Sequence, residues 1–147
     1  MMRALAIILL LLFPPTFAAH ALADEAPATM QDSERAAIRG VIEGQIGAFR
    51  HDDDEAAFSF ASPNIQNQFG DAAHFMAMVR QGYPSVYRPR AVAFGELVTI
   101  DGRIVQKVEL VGPDGGRSTA LYFMEQEPNN TWRIDGCVVV EGESVGT

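Results

Sequence analysis

The spacing of the apolar residues changes near Ala91, and this change limits the folds open to the chain. Before it, apolar residues recur at helical spacing, as on one face of an amphipathic helix. After it, apolar and polar residues alternate, as along a half-buried strand. Helices followed by consecutive strands favour an α+β domain, in which the helices cover one face of an antiparallel sheet.

The second half of the chain is predicted to form four strands joined by tight hairpins. Turn-forming dipeptides such as Asp101-Gly102 and Asn129-Asn130 separate the strands, which predicts a curved antiparallel meander. Residues expected on its helix-covered face are Ile104, Gln106, Val108 and Leu110 in the second strand, and Trp132, Ile134 and Val138 in the last.

Two glycines, Gly95 and Gly136, fall inside predicted strands, where glycine favours a bulge. One extra residue moves all later side chains to the opposite face, because side chains alternate. Glu96 and Tyr122 are expected on the covered face, but a bulge at Gly95 would turn Glu96 outward. The side on which Cys137 lies depends in the same way on Gly136.

Three helices are predicted before the sheet. The first has Asp32 and Ser33 as candidate N-caps, and its apolar residues and Gln45 share one face. Its glycines predict that another element packs closely against that side, and a flexible, weakened helix is the alternative. The second helix follows Asp52, and Asp71 caps a third that ends at Gly82. The stretch NIQNQFG between them is predicted to be a single turn. The glycines of the first helix are Gly40, Gly44 and Gly47.

A histidine and three aspartates stand together at residues 51–54. Asp52 and Glu55 have the spacing of a capping box, and acids are favourable at a helix N-terminus, where backbone N–H groups are free. A metal site needs converging ligands, whereas consecutive aspartates on one turn point in different directions. We therefore predict a helix cap here, and no metal or cofactor.

The N-terminal sequence predicts export. Arg3 precedes an apolar run from Ala4 to Phe13, and Ala21-Leu22-Ala23 has the small-x-small pattern of a signal-peptidase site. The expected division is a signal peptide at 1–23, cut after Ala23 or alternatively Ala21, a flexible tail at 24–31 and one domain at 32–147. An uncleaved N-terminal anchor is the alternative, although two prolines interrupt it. Export without stable membrane insertion is expected.

Charge and cysteine content narrow the partners. The formal net charge of -8 makes nucleic acid and anionic membranes poor partners. Cys137 is the only cysteine, so an internal disulfide cannot form. Three roles remain open for Cys137: a small core residue, a nucleophile, or the link of a disulfide-bonded dimer.

Residues 44–89 and 119–140 include the stretches FRHDDDEAAFSFASP and TWRIDGCVVV, and they resemble the bacterial family called domain of unknown function 4864. The resemblance implies a fold similar to the nuclear transport factor 2-like cone, whose superfamily includes ketosteroid isomerase and the polyketide cyclases. It implies no particular activity, and a Gram-negative bacterial source, which it also implies, makes the periplasm the expected location of the exported protein. A cone of this kind would have its pocket between the helices and the concave face of the sheet.

No catalytic residue is assigned from the sequence, since no pair of acids converges in the predicted fold. The connection after the third helix carries aromatic and basic side chains that would pass the open end of a cone, where they can bind planar or anionic groups. Pinning of a long connection to the core is the alternative for that segment. The pocket candidates are Gln45, Phe49, Tyr83, Tyr87, Arg88, Glu96, Gln106, Tyr122 and Trp132.

Three functional hypotheses follow. The leading one is non-catalytic binding of a small molecule or a protein partner in a cone-shaped pocket. The second is an isomerase-like or cyclase-like enzyme, with Glu96 or an aspartate of residues 52–54 as base and Tyr122 or Tyr83 as proton partner. The third is a structural homodimer packed sheet to sheet, because the stretch TALYFME has apolar residues on both faces.

Overall fold

A computed structural model describes residues 30–142 of the chain. The predicted signal peptide at 1–23 and the tail up to residue 29 lie outside the described residues. The helices are α1 (Asp32–Arg50), α2 (Asp54–Ser59), α3 (Pro63–Phe69), α4 (Ala72–Gly82) and α5 (Pro84–Tyr87). The strands are β1 (Ala91–Ile100), β2 (Arg103–Val111), β3 (Arg117–Gln126) and β4 (Trp132–Glu141).

The four strands form one antiparallel sheet in the order β1-β2-β3-β4, and the helices precede it in the chain. The predicted α+β class and the meander are therefore confirmed. The core lies between the helices and one face of the sheet. It joins α1 residues such as Ile38 and Ile42 to Val108, Ala120 and Tyr122 of the central strands, all of them fully buried.

A bulge in β1 turns Glu96 away from the core. Phe94 pairs with Val108 and Leu97 with Gln106, so β1 has one residue more than β2 between these pairs. The side chain of Glu96 is 78% exposed, and its carboxylate lies 3.7 Å from Nζ of Lys107. The expectation that Glu96 faces the core is wrong, and the bulge suspected at Gly95 is the reason.

A second bulge changes the facing of β4. Phe123 pairs with Gly136 and Met124 with Ile134, which leaves Asp135 as the extra residue. Side chains before and after this point therefore follow different alternations. Val138 is 49% exposed, so its predicted place on the covered face is wrong. Cys137 is paired with the inward-facing Tyr122 instead.

Helix ends follow capping chemistry with small shifts from the predicted positions. Asp71 caps α4 as predicted, accepting a hydrogen bond from the His74 backbone N–H at 2.8 Å. The cap of α2 is Asp53, one residue later than expected, and that of α1 is Gln31, one residue earlier. The structure has two helices that were not predicted. One is α3, in place of the single turn, and the other is α5, which follows α4.

Close packing at the α1 glycines occurs at one of the three. A Cβ on Gly44 would lie 2.6 Å from the Phe60 ring, which is closer than side chains tolerate. Gly40 and Gly47 would meet nothing within 4 Å. The expectation for these two glycines is wrong, while Gly44 lets the segment after α2 lie directly against α1.

Candidate functional site

A cavity of about 380 Å³ lies between the helices and the inner face of the sheet. Every helix except α2 contributes to its wall, together with β3, β4 and the segment at Ala61. Its volume is within the range of small-molecule sites. The lining residues are Gln45, Phe49, Ala61, Ile65, Gln68, Phe69, Phe75, Met78, Val79, Tyr83, Val86, Tyr122, Ile134, Gly136 and Cys137.

The wall of this cavity is mostly apolar and aromatic. Phe75 is its central ring, with centroids 6.3 Å from Phe49 and 5.7 Å from Phe69. The lining set contains no Asp, Glu, His, Lys or Arg. Such a wall favours uncharged, apolar molecules, since a charge placed there would lose water without gaining a partner.

Gln45 and Tyr122 bring polar atoms to this wall. Nε2 of Gln45 donates to the backbone oxygen of Ala57 at 3.1 Å, which fixes the amide in place. Tyr122 is 0% exposed, and its hydroxyl has no hydrogen-bond partner among the described residues. Burial raises the pKa of Tyr122 well above its usual value, with a further contribution from Cys137, so the hydroxyl keeps its proton at neutral pH.

Cys137 lies opposite Tyr122 and lines the same cavity. Burial raises the pKa of its thiol to about 12. The thiolate is the reactive form of cysteine, and both a nucleophile and a thiol that forms disulfides need it. These features favour the first of the three roles, a small core residue in the cavity wall.

We expect Cys137 to react slowly with thiol reagents in the folded protein. At pH 8, labelling by iodoacetamide should be at least ~100-fold slower than labelling of free cysteine, because little thiolate is present. The rate is measured by mass spectrometry over time, with the protein in guanidinium chloride as the control that should label at the ordinary rate. Fast labelling of the folded protein would contradict the assignment of a protonated thiol in the cavity wall.

Four of the sequence-predicted pocket candidates lie together in the cavity wall. These are Gln45, Phe49, Tyr83 and Tyr122. The structure does not bring the other five to this wall. Of these, Tyr87 and Arg88 belong to an exposed cluster on the outside of α5, and the remaining three lie elsewhere on the sheet.

The exposed cluster is organised around Asp52, in the turn between α1 and α2. Its carboxylate accepts hydrogen bonds from the Tyr87 hydroxyl, from Arg88 at 2.9 Å and from Arg80 at 3.4 Å. The bond from Tyr87, followed by those from the two arginines, lowers the pKa of Asp52. Arg88 also donates to the Phe49 backbone oxygen. The cluster therefore ties α5, and with it one part of the cavity wall, to the end of α1.

Three further candidates lie outside the cavity wall, and their contacts are with the sheet, the core or solvent: Glu96, Gln106 and Trp132. Gln106 is buried, and its Nε2 donates to the backbone oxygen of Gly95 at 2.9 Å, which satisfies the bulge in β1. Glu96 faces solvent beside Lys107. Trp132 is 8% exposed and belongs to the apolar core at the start of β4.

The sequence did not identify several wall residues. Ile65 and Phe69 belong to α3, which was predicted to be a single turn without an inner face. Phe75 and Val79 belong to α4, which was predicted as a helix, but neither is among the pocket candidates. For Cys137, the signal was the glycine at 136, since a bulge there decides which way the thiol points.

Residues 30–142 contain neither a metal-binding cluster of acidic, histidine or cysteine side chains nor a helix that could span a membrane. No group of three or more His, Cys, Asp or Glu side chains in that range could hold a metal ion. No helix there is both long and apolar enough to cross a membrane.

On the sheet face away from the helices, Val138 and Val140 are about half exposed, at 49% and 51%.

Comparison with known proteins gives a family and no activity. No curated protein and no solved structure matches the chain. The likeness to the nuclear transport factor 2-like cone therefore stays a prediction, with which the helices and the open four-stranded sheet are compatible. The family described as "Domain of unknown function (DUF4864)" matches residues 31–147, and the chain belongs to this family.

Proposed function

We propose that this protein binds a small, uncharged and largely apolar molecule in the cavity beneath α4, and that it does so after export from the cytoplasm. The single observation that carries the proposal is a cavity of about 380 Å³ that borders the apolar core, is lined mostly by apolar side chains and is partly open to solvent beside the exposed Gln68. Concave and largely apolar pockets of this size are the usual sites of small-molecule binding. Export rests on the N-terminal sequence pattern alone.

The size and chemistry of the wall limit the ligand. A water molecule occupies about 30 Å³ in the liquid, so the cavity has room for about a dozen non-hydrogen atoms. Aromatic side chains such as Phe75 and Phe69 offer apolar contact area. A carboxylate or ammonium group would have no partner of opposite charge in this wall.

The same wall favours binding over acid-base catalysis. An isomerase-like or cyclase-like mechanism needs a base within hydrogen-bond reach of the reacting atom. Tyr122 and Tyr83, the proton partners of that hypothesis, line the cavity, but none of its candidate bases, Glu96 and the aspartates at residues 52–54, does. Glu96 faces solvent, and Asp52 is hydrogen-bonded to Tyr87 and Arg88.

The proposal is tested with acetophenone, cumene and benzoate, which have the same number of non-hydrogen atoms and nearly the same shape. We expect the two uncharged probes to bind with dissociation constants near or below ~1 mM, and benzoate to bind at least tenfold more weakly. Binding is measured by NMR titration of ¹³C-methyl methionine, because Met78 lines the cavity and reports occupancy there.

A matched pair of variants locates the binding. Val79→Phe projects a ring into the cavity and should weaken binding of cumene at least tenfold. Ala77→Phe adds the same ring to an exposed position of α4 and should leave binding unchanged. Thermal unfolding checks that both variants are folded. Absence of any shift with cumene, or equal binding by the two variants, would contradict the proposal.

A further inference from the structure

We infer that the ligand carries a carbonyl oxygen that accepts a hydrogen bond from the Tyr122 hydroxyl. This inference rests on the proposed function and assigns the polar part of the ligand. The observation behind it concerns one atom, the hydroxyl oxygen of Tyr122. The Tyr122 side chain lines the cavity and is 0% exposed, yet its hydroxyl has no hydrogen-bond partner in the described part of the chain. Buried polar groups of folded proteins are nearly always paired.

The surroundings of Tyr122 do not provide that partner. Cys137 stands directly across from it on β4, and a thiol is only a weak donor and a weak acceptor. Gln45 is the other buried polar residue of the wall; its amide nitrogen donates to Ala57, and its amide oxygen makes no hydrogen bond with the Tyr122 hydroxyl. The unpaired hydroxyl reduces the stability of the ligand-free protein, and a ligand that pairs with it recovers that stability.

A carbonyl matches this hydroxyl better than the other oxygen groups of small molecules. The hydroxyl is protonated at neutral pH and therefore has a proton to donate. A ligand alcohol would bring a second donor that itself needs an acceptor, whereas a ketone, aldehyde or ester carbonyl brings none. A carboxylate would accept the bond, but its charge would have no cation in the wall.

The test compares acetophenone with cumene in the wild type and in Tyr122→Phe. The two probes differ by a carbonyl in place of a CH-methyl group, so the ratio of their affinities isolates the contribution of the oxygen. We expect Tyr122→Phe to lower the affinity for acetophenone about tenfold and to change that for cumene by less than about twofold.

The same variant has a second, opposite effect in the absence of ligand. Removing an unpaired buried hydroxyl should raise the unfolding temperature of the ligand-free protein by several degrees, roughly 3–8 °C. If the hydroxyl were hydrogen-bonded within the protein, its removal would instead lower the unfolding temperature. The combination of higher stability without ligand and weaker acetophenone binding is therefore expected only for a hydroxyl that is unpaired in the free protein and hydrogen-bonds to the ligand.

The outcomes separate the inference from the function on which it rests. If wild-type protein binds both probes and Tyr122→Phe leaves their affinity ratio unchanged, the carbonyl assignment is overturned and the cavity proposal stands. If neither probe binds, the proposed function fails. A measurement on the wild type does not depend on folding of the variant: the infrared carbonyl stretch of bound ¹³C-labelled acetophenone should lie below its frequency in cyclohexane, and an unshifted band overturns the inference.

Discussion

Replacing Phe49 with alanine is expected to lower the free energy of unfolding by about 3–5 kcal/mol, the usual cost of removing a fully buried aromatic side chain. Phe49 is 1% exposed. Its ring lies between Phe75 and Tyr87, at centroid distances of 6.3 and 6.4 Å, so it joins α1 to both α4 and α5. Alanine would also merge the space of the ring with the cavity, which adds to the loss.

Equilibrium unfolding in guanidinium chloride measures this effect. Phe94→Ala is the matched control, because the Phe94 ring is only partly buried and is covered by the Arg39 guanidinium, 4.7 Å from its centroid. Its loss should cost about 1 kcal/mol. Equal losses for the two variants would show that Phe49 does not hold the helices together.

Ser62→Ala is expected to cost about 2–3 kcal/mol, far more than an ordinary serine substitution. Ser62 is fully buried, and its hydroxyl donates to the Asp135 carboxylate at 2.6 Å. The same oxygen caps α3 by accepting from the Ile65 backbone N–H at 3.2 Å. The loss combines a helix cap with a hydrogen bond to a charged group.

Ser59→Ala provides the comparison for this prediction. Ser59 is exposed at the end of α2, where its hydroxyl bonds only the local backbone oxygen of Ala56, at 2.6 Å. Its replacement should change the unfolding free energy by less than about 0.5 kcal/mol. If thermal unfolding shows Ser62→Ala to be as mild as this control, the link between α3 and the bulge of β4 contributes little.

The order of helices and strands could be predicted because it depends on local pattern. The change of period at Ala91 gave the boundary between helices and sheet, and the Asp101-Gly102 turn gave a hairpin. The cap at Asp71 needed only the residue type and its neighbours. In contrast, α3 has no buried residue by which an amphipathic pattern could show itself, so it was predicted to be a single turn.

The candidate site could be predicted only in part, because two of its determinants are not local. Alternation placed Tyr122 correctly on the inner face, and helical spacing did the same for Gln45. The facing of Cys137 depends on a bulge whose register is set by pairing with β3. The hydrogen bonds from Tyr87 and Arg88 to Asp52 join residues far apart in sequence, so they could not be predicted from local pattern. From the sequence, Tyr87 and Arg88 were expected only at the mouth of a pocket.

The bulge at Asp135 has a consequence for how relatives of this chain should be aligned. Because the extra residue reverses the facing of the strand, a homologue of the same length that pairs β4 without the bulge would present the equivalents of Val138 and Val140 to the helices, in place of Cys137 and Val139. Loss of the bulge alone would thus exchange a thiol for branched aliphatic groups without any substitution. The pairing of β4 with β3, as well as its composition, decides which side chains the cavity receives.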